Sequence, residues 1–324
     1  MRRFRILVPV LCAMAACGAG ASDSASSAER FLEEFVASDG RVVRHDQGGD
    51  TVSEGQAYAL LVAVAEGDEE RFDRVWRWTR EHLQREDGLL SWHWLDGRVA
   101  DPQPAADADL DAAHALMLAA ERFERPQLER EGRRIAAAVR RLETKDGRLV
   151  AGPWALSRGV VNPGYVAPAA FAALGGEWSA NRQLVEQIVD GGRLPPDWAR
   201  LDGTRLTPSS SPTSGEPPRY GFDAVRLPLR MAASCDPAWR ALAAKLWPTL
   251  RADPGRLPRE LNGEPLGGSS SAGLAGSAAA ARAAGDPDAA ARLLDRADAL
   301  ERERPTYFGS ALVALARTAW SGSC

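Results

Sequence analysis

The chain has 324 residues, 45% of them hydrophobic and 26% charged, which fits a soluble domain large enough to hold a core without covalent staples. A formal net charge of −4 gives no basic face for nucleic acid. Ten Trp against four Tyr is an unusual ratio, and an indole face suits both a helical core and a sugar ring.

In chain order, Arg2, Arg3 and Arg5 precede an apolar run from Ile6 to Ala16 that is too short to span a bilayer, and this reads as an export signal. Two cleavage readings stay open. Met14-Ala15-Ala16-Cys17 resembles a lipobox, which would lipidate Cys17, and Ala19-Gly20-Ala21 is an A-x-A site for plain secretion. The expected division is a signal peptide at 1–17, a Ser/Ala/Asp tether at 18–28 and a single domain at 29–324. Any membrane contact would run through the lipid at Cys17. Cys235 and Cys324 are then left in an oxidising compartment, either bridged or as two thiols.

Strand signals are scarce, and apolar residues recur at helical spacing in segment after segment. Leu60, Leu61, Val64 and Ala65 make one stripe, and Phe72, Val75, Trp76 and Thr79 the next. Ala112, Ala115, Leu116 and Ala119 follow, then Leu128, Ile135, Ala138 and Val139. With a helix near Ala28 and others beginning near Pro163, Ser179, Phe222, Pro237, Ser270, Pro287 and Thr306, the count reaches about twelve, in hairpins of roughly 45 to 50 residues. Six hairpins predict an all-α ring. Leu194 to Pro218 and Leu257 to Ser271, rich in Pro, Ser and Gly, read as long loops, which in compact domains are usually functional or disordered.

Several site types have no motif in the chain: G-x-S-x-G, the P-loop, G-x-G-x-x-G and C-x-x-C. His45, His82, His93 and His114 lack metal-ligand spacing. Asp107, Asp109 and Asp111 imitate a calcium loop, but Ala112 stands where that loop needs Gly and Leu118 where it needs Glu, so no metal or cofactor is expected. Carboxylate chemistry remains. Glu54 lies in Thr51–Tyr58, where Ser53 and Gln56 could form a capping box and Glu54 merely complement the helix dipole. A helix N-terminus lowers a carboxyl pKa, so a general acid there needs burial or a nearby carboxylate to raise it. Ala105–Asp111 also precedes a helix, where Asp caps are common, but three alternating acids exceed what capping needs. Asp223 and Arg226 stand one helical turn apart, as in an i,i+3 ion pair.

Together these segments resemble glycoside hydrolase family 8, the endoglucanase and chitosanase family. Its S-E-G-Q-x-Y signature matches Ser53 to Tyr58. Its A-[ST]-D-[AG]-D signature, with the helix that follows, matches Ala105, Asp107, Ala108, Asp109, Ala113, Ala115, Ala119 and Phe123. Its Y-D-A-x-R-x-P signature matches Asp223, Ala224, Arg226 and Pro228. Trp92-His93-Trp94, Asn162–Tyr165 and Pro195–Trp198 add to the match, which runs from about Phe31 to Trp320.

The resemblance implies an (α/α)6 barrel that hydrolyses a β-1,4 glycan with inversion. It casts Glu54 as general acid, Asp223 as the base that activates water, and Asp107 as the acid that holds the sugar. Trp92 and Tyr165 would contact sugar, Arg226 would partner Asp223, and Asp109 and Arg226 join the substrate-binding set. The expected partner is a β-linked polysaccharide, cellulose-like first, with chitosan, xylan and mixed-linkage glucan open; the protein is expected to act as a monomer. The chain departs from the family pattern at Ala106, Ala112, Gly164 and above all Phe222, which replaces the Tyr before the base. A catalytically degenerate glycan binder, or a lyase on the same barrel, is the alternative.

Overall fold

The computed structural model describes residues 25–321. The expected signal peptide, Cys17, most of the tether and Cys324 lie outside the described residues; Cys235 is disulfide-bonded. Among the described residues no helix is long and apolar enough to cross a membrane.

Local capping decides where many helices start. Ser26 and Glu29 form a capping box that opens α1 (Ser27–Phe35), inside the stretch expected to be tether. Asp68 caps α3 (Glu69–His82), Asp236 caps α9 (Pro237–Ala244), Ser270 caps α11 (Ser271–Ala283) and Asp286 caps α12 (Pro287–Glu303). Proline opens α5 (Pro126–Leu142) and α6 (Pro168–Leu174), where its missing N–H costs nothing. The others are α2 (Ser53–Glu66), α4 (Ala106–Arg122), α7 (Ser179–Val189), α8 (Arg226–Ala232), the single turn α10 (Trp247–Leu250) and α13 (Tyr307–Ser321).

Burial sorts the helices into two layers. Along α2, α4 and α11 most residues are buried, on more than one face, whereas α3, α5 and α12 bury one face and expose the other. The enclosed helices close on themselves: α2 packs on α4, α4 on α6, α6 on α8, α8 on α11, α11 on α13 and α13 back on α2. Around them, α1 lies on α13 and α2, α3 on α2, α5 on α4, α9 on α8 and α12 on α11. This is an (α/α)6 barrel, with twelve helices and one extra turn among the described residues. Helix α11 is lined with buried Ala and Gly, small residues that permit close approach of its neighbours.

Short antiparallel sheets decorate one end. Strand β1 (Thr51–Val52) pairs with β2 (His93–Leu95), and β2 with β3 (Arg98–Asp101). A small hairpin joins β4 (Thr144–Lys145) to β5 (Arg148–Leu149). Strand β6 (Val160–Val161) pairs with β7 (Ala199–Asp202), which turns back into β8 (Arg205–Pro208). The stretch expected as one loop from Leu194 to Pro218 therefore holds a hairpin. Two helix starts also shift. Pro163 opens only a 3-10 turn, Pro163–Tyr165, and Ala167 stays out of the helical region because Pro168 follows it. The helix expected near Phe222 begins at Arg226, after a turn over Gly221–Val225.

Candidate active site

The site forms where the N-termini of the inner helices converge. Strand β1 delivers the chain to α2, and the Ser53 N–H donates to the Trp92 carbonyl at 2.9 Å. The capping-box reading of this segment does not hold. Val52 is the N-cap and offers no side-chain acceptor. Gln56 is fully buried, its Oε1 accepting the Val42 N–H at 2.6 Å while its Nε2 donates to Thr79 Oγ1 at 2.8 Å and to the Gly40 carbonyl at 3.2 Å. The residue expected to cap α2 instead locks it to α3 and to the turn after α1. Likewise the N-cap of α4 is Ala105, which offers no side-chain cap, and Asp107 is free of capping duty.

Arg226 joins the three acids. One terminal nitrogen donates to Glu54 Oε2 and, at 2.5 Å, to Asp107 Oδ2; the other donates to Asp223 Oδ1 at 2.6 Å. Its Nε donates to the Asp223 carbonyl at 3.1 Å, and its plane lies 4.9 Å from the centre of the Tyr165 ring. With 2% exposure, Arg226 is placed beneath the cleft to organise carboxylates rather than to meet a sugar. Asp109, also expected at the substrate, is fully buried behind Asp107 and accepts the Leu90 N–H at 2.8 Å. Tyr165 is buried, with Trp198 at its edge 6.2 Å away. Trp92 is half-buried and stacks on His93 at 4.7 Å.

Three carboxyl groups around one guanidinium carry two excess negative charges if all ionise, which a largely dehydrated site resists. Burial pushes Glu54 above its usual value, and the nearby Asp107 and Asp223 charges add to this; Arg226 and the Tyr307 hydroxyl oppose it. Burial and the neighbouring charges thus act against the lowering expected at a helix N-terminus. Burial also lifts Asp223, against Arg226 and the Asn162 amide and with help from Asp197, to about 6.

Two further residues shape the site. Tyr307, at the start of α13, donates its hydroxyl to Glu54 Oε1 at 3.0 Å. Asp197 lies under the turn that carries Asp223, and its Oδ1 accepts the Gly221 N–H at 2.9 Å and the Ala224 N–H at 2.8 Å. A Cβ on Gly221 would fall 2.3 Å from Asp197, and one on Gly164 would fall 2.1 Å from the Asp223 carbonyl, so both positions need glycine. That steric limit accounts for the departure at Gly164. Asp197 was legible only as part of the Pro195–Trp198 match, and Tyr307 carried no motif.

Cavities open on both sides of the acid pair. One, of about 760 Å³, runs from Glu54 past Tyr307, Phe222, Phe308 and Arg44. The other, of about 210 Å³, runs from Asp223 past Trp198, Ser209, Ser211 and Thr213. Phe222, 49% exposed, makes an edge contact with Phe308 at 6.1 Å.

The sequence model of the glycosyl hydrolases family 8 matches residues 4–321. The chain belongs to that family. It is 35% identical over 230 residues to a protein of Novacetimonas hansenii named "Probable endoglucanase", covering 61% of this chain and 64% of that protein. It is 30% identical over 224 residues to an endoglucanase of Cellulomonas uda, covering 62% and 61%. The chain thus spans less than two thirds of the length of these relatives. The solved structure of an endo-beta-1,4-glucanase from Acetobacter xylinum superposes with a TM-score of 0.71 at 29% identity, covering 91% of this chain and 98% of that one.

Proposed function

We propose that the protein hydrolyses internal β-1,4 bonds of a cellulose-like glucan, with Glu54 as general acid, Asp223 as general base and inversion at the anomeric carbon. The observation that carries this reading is the placement of Glu54 and Asp223 on neighbouring nitrogens of one buried guanidinium, with a cavity leading away from each. A groove open on both sides of the acid pair suits the interior of a polymer. The relatives' names support the β-glucan assignment.

The acid must hold a proton in the resting enzyme. Both Glu54 oxygens face donors, Arg226 on one and Tyr307 on the other. A guanidinium cannot accept, but a hydroxyl can turn and do so. The proton therefore sits on Oε1, held by Tyr307, until it passes to the glycosidic oxygen. Asp223, whose Oδ1 is tied to Arg226, takes the proton of the attacking water on Oδ2. Asp107 lies under the cleft floor, where it anchors Arg226, and its charge favours the proton on Glu54.

Glu54→Gln keeps the shape and removes the proton. On a natural β-glucan it should lose about 10²–10⁴-fold in kcat. On an aryl glycoside whose leaving group needs no proton, the loss should be far smaller. Equal losses on both substrates would contradict the acid assignment.

A further inference from the structure

Behind Asp107, away from the cleft, two more carboxyl groups meet. Asp109 lies in the first turns of α4, and Glu143 is the C-cap of α5; both are 0% exposed. Asp109 Oδ1 has its donor, the Leu90 N–H at 2.8 Å. Asp109 Oδ2 and both Glu143 oxygens have no N–H or hydroxyl donor, yet the two carboxyl groups lie within hydrogen-bonding reach of each other. The charges that face the pair are Asp107 on α4 and Asp87 and Arg85 on the segment after α3. Arg85 is itself engaged by Asp87 and the Pro102 carbonyl. No group of three or more His, Cys, Asp or Glu among the described residues could hold a metal ion there.

Two touching carboxylates cannot both be charged in such surroundings, and Glu143 also sits at the negative end of a helix. One proton has to lie between them. Asp109 already accepts a backbone N–H, which favours its anion and leaves the proton to Glu143. We propose that Glu143 stays protonated at neutral pH, donates its O–H to Asp109, and through it acts as a positioning residue for Asp107 and for the Leu90–Trp92 segment. The route is continuous. Asp109 holds Leu90, the Trp92 carbonyl two residues on holds the Ser53 N–H, and Glu54 follows Ser53. Loss of the proton would place a second negative charge behind Asp107 and disturb the charge count around Arg226. Burial pushes both carboxyl groups up, in keeping with retention of the proton.

The catalytic consequence rests on the function proposed above; the proton itself does not, so the test has two arms. In the first, infrared spectra of the full chain at pH 7 are compared for wild type and Glu143→Gln, with thermal unfolding followed from pH 5 to 9. A raised folded-state pKa contributes stability below the unfolded pKa, and that contribution is lost as pH rises. Wild type should therefore show a protonated-carboxyl band that the variant lacks, and its Tm should fall more steeply with pH. Parallel Tm curves with no band lost would overturn the proposal. In the second arm, Glu143→Gln, which still donates an N–H to Asp109, should keep near-wild-type kcat/KM on β-glucan. Glu143→Leu, which has no donor, should lose about tenfold or more. A folded Glu143→Leu protein with wild-type kcat/KM would remove the positioning role. A wild type inactive on every β-glucan, but with the band lost in Glu143→Gln, would overturn the proposed function and leave the proton assignment standing.

Discussion

Asp197 offers a sharp handle on Asp223, the proposed base, because its two effects separate in two substitutions. Its Oδ1 accepts the Gly221 and Ala224 N–H groups at 2.9 and 2.8 Å, one before and one after Asp223. Removing this acceptor with Asp197→Ala leaves two buried N–H groups unpaired, each costing about 1–3 kcal/mol, or roughly 2–6 kcal/mol together. The turn that aims Asp223 should loosen, so kcat should fall with stability. Asp197→Asn keeps Oδ1 as an acceptor and removes only the charge. That charge helps raise Asp223, which lies at about 6, so its loss lowers the pKa of the base. A base works deprotonated, so in the proposed mechanism the acid limb of kcat/KM against pH should fall near 6 in wild type and move to lower pH in Asp197→Asn. Denaturant unfolding and kcat/KM profiles on a soluble β-glucan measure both effects. An Asp197→Ala protein as stable as wild type, or an Asp197→Asn limb that stays or moves up, would refute the reasoning.

Two other outcomes follow from the same structure. A carboxyl group whose folded pKa is raised costs stability at high pH, so Asp223→Asn should stabilise the protein at pH 8 and lose that advantage near pH 4. A rise from 3.8 to about 6 amounts to about 3 kcal/mol at face value. With the side chain 33% exposed, solvent screening leaves about 1 kcal/mol, readable by urea unfolding at the two pH values. Because Cys235 is disulfide-bonded, reduction should lower stability by about 2–4 kcal/mol, and an unfolding midpoint unchanged by reductant would contradict this.

The barrel was legible because its cause is local and repeated. Apolar stripes, Asp and Ser caps and N-terminal prolines each act within one or two turns, and twelve helices in pairs leave few closed arrangements. The β7–β8 hairpin was hidden by the Pro, Ser and Gly around it. Its signal was present all the same: Ala199, Leu201 and Leu206 are buried between exposed Arg200, Asp202 and Arg205, and Gly203-Thr204 makes the turn, with Gly203 at φ +56°. Glu54, Asp107, Asp223 and Arg226 stood out by type and spacing. Their arrangement did not, because Arg226 reaches carboxylates 119 and 172 residues away, and no local pattern encodes such a meeting. The same limit applies to Gln56, which looked like half of a capping box and serves tertiary contacts. It applies equally to Asp109, whose burial behind Asp107 depends on Leu90 and Glu143.

The central claim is that Asp223 activates water rather than attacking sugar. Water then enters opposite the leaving group, so a β-linked substrate must first release an α-anomer. Proton NMR of the earliest products from a soluble β-glucan, recorded before mutarotation, reads this directly. An initial α-anomer is the predicted result, and an initial β-anomer would contradict the role assigned to Asp223.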